Sequence, residues 1–143
     1  MKKTIETILK ENTLCVLCTE KDGRPYCSLM TYILGEDMET LFMVAFVDSK
    51  KYKNIAHNKY VSVLVDNRHI RGKESNTGIV SITFEGIAQT LKPEFAIEIK
   101  SRLAEAHPEL GEIANDSASV VLGIRLVNYK LLEGPVQSEQ GDI

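Results

Sequence analysis

The 143-residue chain has no apolar run that approaches the roughly 18 residues needed to cross a bilayer as a helix. It also has no basic surplus: 17 Lys and Arg stand against 20 Asp and Glu, for a net charge of −3. Nucleic-acid binding through a basic stripe is therefore not expected. The first twelve residues, MKKTIETILKEN, carry acidic side chains through their apolar part and offer no small-residue cleavage site. They read as a short amphipathic helix rather than a secretory signal, and a cytoplasmic location without membrane attachment is the expectation. The signatures GxxxxGK[ST], GxGxxG, GxSxG and HExxH are all missing. That removes the usual phosphate loops, the nucleophile elbow and the zinc-protease helix. No acid–base pair stands out either. Glu85 is a lone carboxylate in a strand-like run. So sparse a set of catalytic side chains points to a cofactor that carries the chemistry.

Cysteine is scarce as well. Cys15, Cys18 and Cys27 are the three present, and LCVLC gives the first two a CxxC spacing. In a strand, residues three apart point to opposite faces. There is no second CxxC and no pair of histidines at ligand spacing; His57, His69 and His107 are scattered. The thiols are expected to be buried and inert, and no metal site is expected.

What is present is an ordinary globular balance, 43% hydrophobic and 26% charged. Thr4 to Lys10 places Ile5, Ile8 and Leu9 at helical spacing. Three apolar runs follow: LCVLCT, YCSLMTYIL and LFMVAF. EKDGRP separates the first two, and its Asp22-Gly23 is a hairpin signal; GEDMET separates the next two. A helix of about ten residues is then expected, with Tyr52, Ile55 and Ala56 inward, followed by the strand YVSVLVD with Val61, Val63 and Val65 on one face. NRHIRGKESNTG reads as a loop. IVSITFEGIAQTL reads as a long strand bent at Gly86. Pro93 opens a helix with Phe95, Ile99, Leu103 and Ala106 along one face, ended by Pro108 and Gly111. SVVLGIRLVNYKLLEG is the last strand, and PVQSEQGDI, about residues 135–143, is a polar tail expected to be loosely held.

Six strands, mostly joined by short turns, and three helices predict a mainly β fold over residues 1–143 as a single domain. The expected architecture is a six-stranded antiparallel split β-barrel with peripheral helices. The two longest strands would leave exposed edges in a monomer, which predicts a dimer.

One electrostatic oddity remains. VDSKKYKNIAHN puts Ser49 at a helix cap and Lys50 and Lys51 in the first turn. The helix start carries partial positive charge, so cations there cost a few tenths of a kcal/mol each. A bound phosphate would reverse that sign. A solvated face with Asp48 as counter-charge is the competing reading. Lys53 reads as ordinary surface charge.

Taken in order, LCVLCTEKDGRPYCSLMTYI, TLFMVAF and DSKKYKNIAHNKYVSVLVD resemble the pyridoxamine 5′-phosphate oxidase-like FMN-binding split-barrel family. The resemblance implies a homodimer with FMN in grooves between subunits. It implies that Ser49, Lys50 and Lys51 bind the FMN phosphate. Ser28, Leu29, Met30 and Thr31 would run beside the ribityl chain and ring, with Val44 and Ala45 next to the flavin. Ser81 falls near the position where the neighbouring subunit touches the cofactor. The chain departs from true pyridoxamine phosphate oxidases in lacking their Arg and Lys on the second strand, their polar pair on the third, and their C-terminal Arg/His signature. The implied function is thus an FMN-dependent oxidoreductase acting between a reductant and a small-molecule acceptor, rather than that oxidase itself. The alternatives are a non-enzymatic flavin carrier, reservoir or sensor, or a binder of deazaflavin or haem in the same groove.

Overall fold

The computed structural model describes residues 2–71 and 78–143. Helix α1 (Lys3–Glu11) leads into the hairpin of β1 (Leu14–Lys21) and β2 (Arg24–Thr31). Asp22 and Gly23 both have positive φ, 55° and 78°, as the tightest hairpin turn requires. β3 (Ile33–Leu34), β4 (Thr40–Phe46), α2 (Lys50–His57) and β5 (Tyr60–Asp66) follow. After the single turn α3 (Arg68–Arg71) come β6 (Val80–Thr90), α4 (Pro93–Ala106), a short 3₁₀ turn and α5 (Gly111–Asn115). The chain closes with β7 (Ser119–Glu133) and β8 (Gln137–Asp142). Half of the expected loop from 67 to 78, residues 72–77, lies outside the described residues, and residues 68–71 of it form the turn α3.

All eight strands join one sheet, ordered β2-β1-β5-β6-β7-β4-β3, with β8 also on β7, and every pairing is antiparallel. β2 and β3 sit at opposite ends of this order, yet only Tyr32 separates them in the chain. The sheet therefore has to curl until its two ends meet, which is the split barrel expected from the sequence. Its concave face holds the main core. Cys15 and Leu17 on β1, Val61, Val63 and Val65 on β5, Ile82 and Phe84 on β6, and Leu122, Ile124 and Leu126 on β7 are all buried there. Ile5, Ile8 and Leu9 of α1 enter the same cluster. A second, smaller core lies between the sheet and α4, where Ala96, Ile99 and Leu103 meet Val44 and Val121.

Gly86 makes the bend predicted for it. The β6–β7 register shifts between Glu85 and Gly86. A Cβ on Gly86 would stand 2.8 Å from Ile124 Cγ2 and 3.2 Å from the Arg125 carbonyl oxygen, so only glycine lets the strands approach this closely.

The structure corrects several expectations. Among the described residues there are eight strands rather than six. YCSLMTYIL is not one strand, because the chain changes partners at Tyr32. The tail is not loose. Residues 137–142 pair with Asn128–Glu133, and Glu139 is bonded by Lys2 and by the Tyr129 hydroxyl at 3.0 Å. These two donors hold the Glu139 carboxyl below its ordinary pKa, and Lys2 has the larger effect. The two longest strands are not edges: β6 lies between β5 and β7, and β7 is paired on both sides. The edge argument for a dimer therefore fails. On α4 the inward face is Ala96, Ile99 and Leu103, while Phe95 is 63% exposed and Ala106 is exposed. On α2 the inward residues are Asn54 and Ile55, with Tyr52 half-buried and Ala56 exposed. Gly111 starts α5 instead of ending a helix.

Tyr32 is the junction. Its hydroxyl donates to the Leu9 carbonyl at 2.7 Å, its N–H donates to the Thr13 carbonyl at 3.0 Å, and its carbonyl lies 3.2 Å from His107 Nε2. Burial raises the phenol's pKa far above its ordinary value, which keeps it a donor at neutral pH. Tyr32→Phe keeps the ring and leaves the buried Leu9 carbonyl with one partner fewer. We expect it to cost about 1–2 kcal/mol, read as a lower urea midpoint with an unchanged m-value.

Candidate functional site

The start of α2 takes shape as the sequence predicts. Ser49 is the N-cap, with φ −69° and ψ 149°. Its Oγ accepts from the Tyr52 N–H at 3.4 Å and donates to the Phe46 carbonyl at 2.7 Å. The first turn holds no acidic residue. None of the ion pairs among the described residues involves Lys50 or Lys51. Asp48 is thus in direct ion-pair contact with neither lysine. Lys50 instead sets its Nζ 4.9 Å from the centre of the Tyr26 ring. That cation–π contact contributes about 0.5–1 kcal/mol at an exposed site, comparable to the dipole penalty. Lys51 is half-buried and Lys53 is exposed.

The helix is fixed to the barrel by polar contacts that the sequence reading missed. Buried Asn54 donates through Nδ2 to Thr19 Oγ1 at 3.0 Å, and Asn58 Nδ2 donates to Glu20 Oε2 at 2.6 Å. Thr19 belongs to the concave face of β1, with Leu17 and Cys15. A signal existed: Asn54 stands one position before Ile55, on a helix otherwise read as having an apolar inward face.

β2 divides its residues by parity. Register with β1 puts Tyr26 opposite Thr19, Ser28 opposite Leu17 and Met30 opposite Cys15, all on the concave side. Met30 is 7% exposed and shares the main core with Ala45, Ile55 and the flanking Tyr52. Tyr26, Ser28 and Met30 thus form a strip on one side of β2, from Tyr26 under Lys50 to Met30 in the core. Leu29 and Thr31 point the other way, and Leu29 is 69% exposed. Val44 also points away from the concave side and packs under α4.

Ser81 is not with this group. It pairs with Asp66 and with Leu132 of β7, whereas Phe46, just before the cap, pairs with Ser119. Thirteen residues of β7 (132 − 119) separate the two points, roughly 40 Å of strand. The predicted residues therefore divide by position: Ser49, Lys50 and Lys51 at the α2 start; Ser28, Met30 and Ala45 on the concave side; Leu29, Thr31 and Val44 on the convex side; Ser81 at the far end.

A groove of about 520 Å³ lies on the convex face, lined in part by Cys18, Glu20, Pro25, Tyr60, Ser62 and Ile87. None of the predicted residues lines it. It is separated from the Ser28–Met30 strip by the thickness of the β1–β2 hairpin.

An antiparallel sheet curled on itself, with a cation-bearing helix start beside its second strand, defines a split-barrel protein. The chain belongs to the pyridoxamine 5′-phosphate oxidase family, whose model matches residues 1–131. Among solved structures, a haem binding protein from Mycobacterium smegmatis has a TM-score of 0.82 at 16% identity, over 96% of this chain and 55% of that one. The haem storage protein HutZ from Vibrio cholerae has a TM-score of 0.75 at 16% identity, over 93% of this chain and 94% of that one. An FAD-binding protein from Mesorhizobium loti has a TM-score of 0.71 at 20% identity, over 92% and 94%. At these identities the likeness is one of fold. No curated protein sequence matches the chain.

The Asn54–Thr19 bond is testable on its own. Asn54→Ala leaves the buried Thr19 hydroxyl without its donor, and we expect a loss of about 1–3 kcal/mol. In a double-mutant cycle with Thr19→Ala the two losses should fall short of additive by at least about 0.5 kcal/mol, measured by thermal denaturation.

Proposed function

We propose that the chain is a flavoprotein that holds FMN, with Ser49, Lys50 and Lys51 on its phosphate and Ser28 to Thr31, Val44 and Ala45 along its ribityl chain and ring. The observation that carries this reading is the start of α2. Two lysines without carboxylate partners among the described residues share it with the N–H groups that a first helical turn leaves unbonded. That donor set suits an anion such as a phosphate. The inward strip of Tyr26, Ser28 and Met30 supplies an apolar wall with one hydroxyl, which suits a ring and a polyol chain. For Leu29, Thr31 and Val44 the contact would come through backbone, since their side chains turn away.

FMN, when bound, supplies hydride and single-electron chemistry, and the activity we assign is oxidoreduction between a reductant and a small-molecule acceptor. The chain's own residues bind and orient; none is assigned as acid or base. The site is proposed to be completed by a second copy. Ser81 lies too far along β7 to reach the α2 start of its own chain, so a role at the cofactor requires a homodimer. Haem in the same fold is the second reading. It rests on the haem-binding structures of similar fold, and no histidine belongs to the Ser28–Met30 strip or the α2 start.

A spectrum of the purified protein, before and after soaking with FMN, separates these readings. Flavin bands that persist through gel filtration are expected. A Soret band instead supports haem, and neither signal overturns both. Lys50→Ala with Lys51→Ala should raise the FMN Kd by about 100-fold, from two charge-assisted contacts at about 1.5 kcal/mol each. An unchanged Kd removes the phosphate site. Light scattering with FMN present should give twice the chain mass.

A further inference from the structure

The hairpin that carries Ser28 also brings two thiols together. Asp22-Gly23 is a two-residue turn, so Lys21 and Arg24 form the hydrogen-bonded pair next to it. Paired positions then alternate. Glu20–Pro25 is non-hydrogen-bonded, Thr19–Tyr26 is hydrogen-bonded, and Cys18–Cys27 is non-hydrogen-bonded. Pro25, which has no N–H, fits that phase. A non-hydrogen-bonded antiparallel pair brings its Cα atoms to about 4.5 Å, inside the range a disulfide spans. Both side chains point to the convex face, and their Sγ atoms lie 3.4 Å apart. Closing that gap to a bond of about 2.0 Å asks for side-chain rotation and no shift of strand.

We propose that Cys18 and Cys27 form a reversible cross-strand disulfide, entered by S-thiolation of Cys27 by a low-molecular-weight disulfide such as oxidised glutathione. Cys27 is exposed and lies on β2, the end strand of the sheet order, so a small disulfide can reach it. Its thiolate attacks one sulfur of the small disulfide. The Cys27–sulfur bond forms as the sulfur–sulfur bond breaks, and the leaving thiolate takes a proton from solvent. Cys18 then gives its proton to solvent and attacks the Cys27 sulfur, expelling the second small thiol. Two protein thiols are oxidised by two electrons, and one small disulfide is reduced to two thiols. The order follows from setting: burial pushes the Cys18 thiol up to about 11, which makes it the slower first nucleophile. Cys15 is the built-in control. It lies 2% exposed on the concave face, its thiol pushed up to about 12 by burial. The proposal concerns the thiols alone and does not depend on which cofactor the protein holds.

The experiment exposes the purified protein to oxidised glutathione and then counts free thiols under denaturing conditions, with peptide mapping. The count should fall from three to one, the mapped link should be Cys18–Cys27, and dithiothreitol should restore all three. Cys18→Ser should stop at a stable glutathione adduct on Cys27. Cys27→Ser should keep both remaining thiols. Three free thiols at every protein concentration tested overturn the proposal. So does a wild-type adduct that persists on Cys27, or a link that involves Cys15 or joins two chains.

Discussion

The architecture depends on a single covalent constraint at Tyr32. The chain leaves one end of the sheet order at Thr31 and re-enters at the other end at Ile33. No flat sheet can satisfy that, so β2 and β3 force the curl, and the bulge at Gly86 supplies the local bend that makes it affordable in backbone terms. Tyr32 is held by α1 through Leu9, by the loop before β1 through Thr13, and by the segment after α4 through His107. Each of these elements is thereby fixed relative to the seam. The strip of Tyr26, Ser28 and Met30 inherits its orientation from the same point, since parity along β2 is counted back from Tyr32.

At the α2 start the magnitudes nearly cancel. Two cations beside a helix N-terminus cost a few tenths of a kcal/mol each, and the Tyr26 ring returns a similar amount to Lys50. A ring compensates the penalty without neutralising the charge, whereas a carboxylate would have done both. The lysines thus have no ion-pair partner among the described residues, on a helix that Asn54 and Asn58 tie to β1. Stability and availability of charge are met by different residues, which lets each be tuned without the other.

Much of this could be read from the chain. Val61, Val63 and Val65 alternate, Asp22-Gly23 makes its turn, Gly86 bends its strand, and Ser49 caps its helix. These are local effects, decided by neighbours within a few residues. What was hidden depended on partners distant in sequence. YCSLMTYIL is evenly apolar, so nothing in it marks Tyr32 as the place where partners change. The polar tail had no apolar pattern to announce a strand; β7 offers it an open edge. On α4 the inward face of Ala96, Ile99 and Leu103 was set by the packing against Val44 and Val121, partners distant in sequence. Parity also explains why Leu29, Thr31 and Val44 turn away from the strip. The Cys18–Cys27 pairing was within reach. A two-residue turn at 22 and 23 pairs positions whose numbers sum to 45, and 18 and 27 do so.

β4 finds its partner late. Its pairs with β7 join residues 73 to 85 positions apart, from Phe46–Ser119 to Thr40–Arg125. At roughly 5–20 residues per second of synthesis, β4 waits about 4–15 s before its first β7 partner is made. During that interval the α1–β2 hairpin unit can form locally, while Leu41, Met43 and Ala45 have no strand to lie against on the β7 side. Synthesis therefore sets the earliest moment at which β4 can be paired on that side. A translational pause placed before Ser119 would lengthen the exposure of this apolar strand.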